Sequence, residues 1–206
     1  MFSMVTDTYL TVKSKSEGLY KEKGSKFIAF AHHISSEEQV KEMIQSYKKD
    51  YHDARHHCYA YVLGFKRDIW RANDDGEPSG TAGKPIHGQI VSRNLTNTLV
   101  VVIRYFGGTK LGVSGLINAY KTAASDALNG SEIIEKTVND IYKVSFSYTA
   151  MNEVMKLVKD ENLTLSEQQF DTLCSVNLAV RQSKTALFLG RIDKIDSAVA
   201  EHLRTE

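Results

Sequence analysis

The strongest structural pattern in the sequence lies at residues 98–128, which read TLVVVIRYFGGTKLGVSGLINAYKTAASDAL. Residues 99–103 are consecutive large aliphatic residues, mostly β-branched, which is typical of a strand buried on both faces. Glycines from Gly107 to Gly115 interrupt this run, and residues 114–128 then favour a helix that ends at Asn129-Gly130. A strand, a glycine turn and a helix in this order point backbone N–H groups at an anion. The pattern therefore predicts a central strand followed by an anion-binding turn.

A second irregular segment, NDDGEPSGTAG at residues 73–83, precedes this pattern. Pro78 fixes its own φ, and the glycines of the segment allow backbone angles that a side chain would forbid. Loops that give up regular structure in this way often carry function. We call residues 73–83 the acidic loop and residues 104–115 the glycine turn. A helix and a strand are predicted between these two segments. We nevertheless expect the acidic loop and the glycine turn to meet in the fold.

Composition indicates an ordinary globular protein. The chain has 206 residues, 42% of them hydrophobic and 25% charged, with a net charge of +1. This charge argues against a protein that coats nucleic acid, although it allows a local basic patch. No apolar run approaches the roughly 20 residues that cross a bilayer, and the first ten residues show no secretory signal. Cys58 and Cys174 are predicted to be buried thiols, so we expect a cytoplasmic protein.

The remaining patterns predict two domains, residues 1–130 and residues 138–206, with a linker at 131–139. In the first domain we expect a hairpin at 18–34, a helix that begins within Ser35-Ser36-Glu37-Glu38 and runs to about Asp50, strands at 57–64 and 68–73, and a short helix at 84–93. In the second domain we expect a strand at 141–148, a helix capped by Thr149, a hairpin turning at Asp171-Thr172, a helix at 183–195 and a last strand at 198–203. This order of elements is typical of the split βαβ, or ferredoxin-like, arrangement.

Known phosphate and metal signatures do not fit the two loops. Gly83-Lys84 is followed by Pro85, where a Walker A loop needs Ser or Thr, and GxGxxG is absent. HExxH and CxxC are also absent, which makes a zinc site improbable. The carboxylates of Asp74, Asp75 and Glu77 could hold magnesium together with a substrate phosphate. The favoured interpretation is an acidic turn whose aspartates bind nearby backbone N–H groups. We therefore predict no cofactor and no metal.

The glycine turn carries the clearest functional pattern in the sequence. Tyr105 and Phe106 offer stacking faces, Arg104 and Lys110 offer positive charge, and the glycines allow close approach of the backbone. This combination suits a nucleotide or a single strand. The alternative is a tight turn whose aromatic side chains belong to the core.

A polar group at residues 55–57, Arg-His-His, comes just before a strand. Adjacent histidines on a strand point to opposite faces, so at most one of His56 and His57 can face a given site. An anion-binding pair of Arg55 with one histidine is one interpretation, and surface polarity is the other.

The predicted binding residues come from residues 55–57, from the strand before the acidic loop, from that loop and from the glycine turn. They are Arg55, His56, His57, Arg71, Asp74, Asp75, Glu77, Ser79, Thr81, Gly83, Arg104, Tyr105, Phe106, Gly107, Gly108, Lys110 and Gly112. No motif places a nucleophile beside a base, so no catalytic residue is predicted.

Three runs of residues resemble a known family. ANDDGEPSGTAGKPI at 72–86, VVVIRYFGGTKLGVSGLINAY at 100–120 and RHHCYAY at 55–61 are similar to the signature of the IMPACT/YigZ family. The resemblance covers residues 26–127, and the second domain is similar to that family in pattern only. It implies an α+β fold with two domains. The first would be an α/β-sandwich similar to elongation factor G domain IV, and the second a ferredoxin-like domain similar to domain V of that factor.

The family's eukaryotic members act on translational control, so the resemblance implies a link to translation. We expect a non-enzymatic cytosolic module that binds RNA, the ribosome or a translation factor, with no membrane partner. The alternative is a metal-dependent enzyme that acts on a nucleotide or a phosphorylated small molecule. A third possibility makes both loops a self-packed platform for a protein partner.

Overall fold

The computed structural model of the protein describes residues 7–171 and 173–206. The chain divides into two compact units, one of residues 9–136 and one of residues 137–206 with Asp7 and Thr8. Both units combine helices with antiparallel sheets, so the predicted α+β class is confirmed. The domain bounds 1–130 and 138–206 stay a prediction, because a compact unit need not be an independently folding domain.

The first unit contains seven strands and three helices among its described residues. They are β1 (Thr8–Val12), β2 (Ser16–Glu22), β3 (Ser25–His33), α1 (Glu37–Asp50), β4 (His56–Leu63), β5 (Ile69–Asn73), α2 (Gly83–Ser92), β6 (Thr98–Tyr105), α3 (Gly112–Asn129) and β7 (Ile133–Thr137). Five strands form one antiparallel sheet in the order β2-β3-β6-β4-β5, and β1 pairs with β7 separately.

Strand β6 lies at the centre of the five-stranded sheet and is buried on both faces, as predicted. Val100 and Val102 pack in the core beneath α2 and α3, whereas Leu99, Val101 and Ile103 pack in the core beneath α1. Each such side chain stabilises the fold by roughly 1.5–3 kcal/mol when fully buried. The helices therefore cover opposite faces of one sheet, and the end of β6 lies between the two layers.

The predicted helix after Ser36 is confirmed as α1. The Ser36 side chain accepts a hydrogen bond from the backbone N–H of Gln39 at 3.2 Å, which satisfies one of the free donors of the first turn. Val40, Ile44 and Tyr47 form its buried face at helical spacing. The other face is polar and points to solvent.

The second unit has the predicted ferredoxin-like order. Its elements are β8 (Asn139–Ser147), α4 (Met151–Asp160), β9 (Thr164–Phe170), β10 (Leu173–Arg181), α5 (Thr185–Ile192) and β11 (Val199–Thr205). The strands form an antiparallel sheet in the order β11-β8-β10-β9. Val144 and Phe146 of the sheet pack against Val154 of α4 and Phe188 of α5, so both helices cover the same face. The last strand forms as predicted but ends two residues later than expected, at Thr205.

Two sequence predictions are wrong. Residues 131–139 are not a simple linker, because β7 forms at Ile133–Thr137 and pairs with β1, a partner far away in sequence. Thr149 does not cap α4, because it lies inside a 3-10 turn and its hydroxyl pairs with that of Ser147 at 2.7 Å. Thr172, which was predicted to lie at the β9–β10 turn, is outside the described residues. The same holds for residues 1–6 of the ten-residue segment in which no secretory signal was found.

Each unit contains one of the two cysteines, and both thiols are free and buried, as predicted. Burial raises the pKa of the Cys58 thiol far above its ordinary range. Among the described helices, none combines the length and apolar character needed to span a bilayer.

Candidate functional site

The acidic loop and the glycine turn meet at a cavity of about 450 Å³ in the first unit. The lining residues are Arg55, His56, Glu77, Pro78, Arg104, Phe106, Lys110, Leu111, Gly112, Val113 and Leu116. The acidic loop contributes Glu77 and Pro78, and most of the other residues belong to the glycine turn. The structure thus brings together two segments that a helix and a strand separate in sequence.

The cavity forms where β4 and β6 reach the edge of the sheet and α3 begins. His56, the first residue of β4, lies opposite Arg104 in the strand register. Arg55 continues this pairing, because its backbone N–H donates to the carbonyl of Arg104 at 3.0 Å. The alternation of side chains along β6 then turns Arg104 toward the α2 and α3 layer.

A buried ion pair lies behind the cavity. Nη1 of Arg104 donates to Oε1 of Glu77 at 2.6 Å, and the Glu77 side chain is only 3% exposed. The hydroxyl of Tyr120, on α3, donates to the same oxygen at 2.8 Å. Burial raises the pKa of Tyr120, which keeps this hydroxyl protonated and able to donate. The carboxylate charge is therefore compensated from β6 and from α3 together.

Arg104 has one fully buried donor that the protein leaves unused. Its guanidinium lies 5.4 Å from the ring centroid of Phe27 and 5.6 Å from that of Phe106. Nε of Arg104 has no hydrogen-bond partner, and among the described residues it is the one buried side-chain nitrogen or oxygen in that state. Buried polar groups are nearly always hydrogen-bonded. An unpartnered donor in a residue that lines a cavity therefore calls for an explanation.

The rim of the cavity is exposed and cationic. Arg55 and Lys110 are exposed, and within the described part of the chain neither side chain forms an ion pair. Phe106 is 47% exposed beside them. Helix α3 begins at Gly112, which has a φ of 73°, and no side chain caps its start. Its first N–H groups therefore lack a side-chain acceptor at the cavity.

In contrast, the carboxylate of Asp74 is fully engaged in hydrogen bonds within the acidic loop and at the start of α2. Its carboxylate accepts hydrogen bonds from the backbone N–H groups of Gly80, Ala82 and Gly83 at 2.8–3.0 Å. Burial opposes the charge, but these three bonds outweigh it and hold the pKa of Asp74 below its ordinary value. Asp74 thus does for α2 what a capping side chain does, since Ala82 at its start has none to offer.

Asp75 is also engaged. Its carboxylate accepts from the backbone N–H of His57 at 2.7 Å and from Nζ of Lys48 at 3.0 Å. Burial again opposes the charge, and the two bonds lower its pKa. The carbonyl of Asp75 accepts from Nδ1 of His56 at 2.7 Å, which places a proton on Nδ1 because a carbonyl can only accept. Within residues 7–171 and 173–206, no group of three or more metal-ligating side chains is placed to hold an ion.

Several predicted binding residues lie away from the cavity. His57 and Tyr105 point toward the α1 layer, where Nε2 of His57 bonds the carbonyl of Tyr51 at 3.0 Å and the Tyr105 hydroxyl donates to Asp53 at 2.8 Å. Arg71 lines a separate, smaller cavity of about 260 Å³ beside α1.

The other predicted residues shape the loops. Thr81 is buried and its hydroxyl donates to the carbonyl of Pro78 at 2.7 Å, whereas Ser79 is exposed. Gly83 and Gly107 lie where a Cβ would meet backbone atoms of Asn73 and Gly24, respectively. Gly108 has a φ of 86° and open space around it.

The sequence patterns missed the apolar wall of the cavity and Tyr120. Leu111, Val113 and Leu116 form this wall, on the turn into α3 and on its first turns. Leu116 and Tyr120 lie four residues apart on the buried face of α3, a spacing visible in the sequence. A tyrosine on a buried helix face usually has a hydrogen-bond partner, so the spacing could have marked Tyr120 but not its partner Glu77.

Known proteins match this chain over most of its length. Residues 23–128 match the Impact N-terminal domain. The IMPACT family member YvyE of Bacillus subtilis (strain 168) is 37% identical over 181 residues, which cover 88% of this chain and 83% of YvyE. The IMPACT family member YigZ of Escherichia coli (strain K12) is 31% identical over 172 residues, covering 82% and 84%. The crystal structure of a hypothetical protein shares 26% identity with a TM-score of 0.77, over 97% of this chain and 99% of that one.

Proposed function

The chain belongs to the IMPACT family, and we propose that it is a non-enzymatic, translation-linked module that binds single-stranded RNA at the cavity of the first unit. The observation that carries the proposal is the unpartnered Nε of the buried Arg104 in a cavity with an exposed cationic rim. The link to translation is the role that the family resemblance implies.

The charges around the cavity favour an anion. Arg55, Arg104 and Lys110 line it together with a single carboxylate, that of Glu77. Glu77 takes up one donor of Arg104 and leaves the rim cations without a partner. Phosphate groups supply a large share of the binding free energy in protein–nucleic acid complexes by pairing with such cations.

The shape and the aromatic face favour a single strand over a duplex. Phe106 is exposed beside the cations and can stack on a base. Such stacking contributes about 1–3 kcal/mol per base, and it requires a base that is not already paired and stacked in a helix. The cavity of about 450 Å³ lies in the size range of small-molecule sites, about 300–1,000 Å³, which suits one nucleotide.

No arrangement in the described residues favours the alternative of a metal-dependent enzyme. Asp74, Asp75 and Glu77, the carboxylates that would hold the metal, each have partners inside the protein. A carboxylate that already accepts several hydrogen bonds has few lone pairs to offer an ion.

Lys110 offers the sharpest test, because its side chain lines the cavity and is exposed. We would measure binding of a short fluorescent RNA to the full chain across a salt series, for the native protein, Lys110→Met and Lys121→Met. Lys121 is an exposed lysine on α3 outside the cavity lining, so both variants change the net charge equally. Lys110→Met should weaken binding roughly tenfold and lower the salt slope by about one, whereas Lys121→Met should bind as the native protein does.

Two results would overturn this function. One is the absence of RNA binding to the native protein even at low salt. The other is an equal loss in both lysine variants, which would mean that binding depends on overall charge. Sedimentation with ribosomes, using the same three proteins, tests whether the RNA that is bound belongs to the ribosome.

A further inference from the structure

We propose that the cavity recognises a phosphate monoester, the terminal phosphate of an RNA strand or of a free nucleotide. The inference deepens the proposed function and rests on it for the RNA source. A monoester differs from the phosphodiesters inside a strand in its charge, in its number of free oxygens and in its position at a chain end. Each difference has a counterpart in the cavity.

The charge of the cavity matches a dianion. Arg55, Arg104 and Lys110 bring three positive charges, and Glu77 brings one negative charge. A phosphate monoester carries a charge between about −1.5 and −2 at neutral pH, whereas an internal phosphodiester carries one. A single diester would therefore leave one cation of the cavity uncompensated.

The unused donors also exceed what a diester needs. Nε of Arg104, a residue that lines the cavity, lacks a hydrogen-bond partner. The start of α3 at Gly112 lacks a side-chain cap and belongs to the same lining. Helix starts and arginine side chains are both well suited to bind phosphate oxygens. Three terminal oxygens can accept from the helix start, from the Arg104 guanidinium and from the rim together.

The recess has a buried floor and an exposed rim. Glu77, Arg104, Leu111 and Leu116 are each at most 9% exposed, whereas Lys110 at the rim is exposed. A terminal group enters such a recess head-on. An internal phosphate would have to bring the chain on both of its sides along, including the ribose groups, past the apolar wall.

The test compares one short RNA sequence with a 5′-phosphate, with a 3′-phosphate and with hydroxyl groups at both ends. The two phosphorylated forms have the same total charge. At least one of them should bind the native protein roughly tenfold tighter than the hydroxyl form, since charge-assisted hydrogen bonds of this kind are worth about one factor of ten each. Inorganic phosphate and a nucleoside monophosphate should compete with it.

Arg104→Lys is the matched variant, because it keeps a positive charge beside Glu77 but has no Nε donor. We expect it to lose the gain from the terminal phosphate, whereas Lys121→Met keeps the gain. Thermal unfolding shows whether Arg104→Lys folds, and if it does not, Lys110→Met takes its place. A gain that persists in the folded Arg104→Lys variant would overturn the inference.

The outcomes separate this inference from the proposed function. If the hydroxyl form binds and neither phosphate improves binding, the monoester site is wrong and RNA binding stands. If no RNA form binds but the nucleoside monophosphate does, RNA binding is wrong and the site serves a free nucleotide. If none of the probes binds, both proposals fail.

Discussion

The acidic loop and the glycine turn differ in how many of their polar groups the protein itself uses. The carboxylates of Asp74, Asp75 and Glu77 accept hydrogen bonds from backbone N–H groups, a lysine, an arginine and a tyrosine. In the glycine turn, Lys110 and Phe106 are exposed at the cavity, and the start of α3 has no side-chain cap. Three acids within four residues are therefore a poor guide to a ligand. Donors that remain unpaired are the better guide, and they are the reason why we propose binding at the glycine turn and a supporting role for the acidic loop.

The largest effect should come from Glu77→Ala, which removes the partner of a buried arginine. Breaking one half of a buried ion pair costs about 3–5 kcal/mol, because the other charge stays in a poorly solvated place. Urea unfolding should therefore show a strong drop in the free energy of unfolding, while Glu42→Ala on the exposed side of α1 stays within about 0.5 kcal/mol. Equal stability of the two variants would contradict this prediction, because Glu77 would then contribute no more to stability than an exposed glutamate.

A pair of glycine substitutions tests how tightly the backbone of each segment is packed. In Gly83→Ala the new Cβ would lie 2.5 Å from the backbone nitrogen of Asn73, so the acidic loop would have to shift, at a cost of about 2–3 kcal/mol. In Gly108→Ala nothing lies within 4 Å, and only the positive φ of 86° costs about 1 kcal/mol. Thermal unfolding of both variants gives the order, and a reversed order would mean that the glycine turn is the more tightly packed segment.

Asp74→Asn should produce a smaller change that depends on pH. The folded-state pKa of Asp74 is lowered, so its charged form contributes stability above the ordinary carboxyl value and loses it as pH falls below about 4. At neutral pH we expect the variant to be about 1–2 kcal/mol less stable, because an amide accepts these hydrogen bonds less well. Below about pH 4 the difference should shrink. Urea unfolding across this pH range measures the difference. The exposed Asp68→Asn is the control and should leave the pH dependence of the free energy of unfolding unchanged.

The smallest effect on stability should come from Lys110→Met. The side chain is exposed and pairs with no carboxylate among the described residues, so the free energy of unfolding should change by less than about 0.5 kcal/mol. Binding should nevertheless weaken as described above. A substantial loss of stability would show that the glycine turn, like the acidic loop, is held by its own side chains.

The sequence predicts those parts of the fold whose pattern is local. The aliphatic run of β6, the Ser36 cap of α1 and the alternation in β8 each come from neighbouring residues. Strand β7 escaped because its partner, β1, lies more than a hundred residues earlier. The same reason hid Tyr120, whose role depends on Glu77 in another segment.

Seven of the cavity's eleven lining residues are among those predicted from the sequence, but the direction in which neighbouring side chains point was not predicted. Arg104 and Tyr105 are neighbours at the end of a strand that is buried on both faces, so no polar alternation marks which face is which. The structure turns Arg104 to the cavity and Tyr105 to α1. His56 and His57 separate in the same way, because β4 pairs with β6 in register.

The two buried cysteines give the molecule a pair of internal reporters. A thiol reagent reaches Cys58 only when the first unit opens, and Cys174 only when the second does, since both side chains are fully buried. Peptide mass spectrometry after timed alkylation would read the opening of each unit separately, without any engineered label. The Cys58 thiol also donates a hydrogen bond to the carbonyl of Asp74. Its alkylation rate therefore reports how often the acidic loop separates from the sheet.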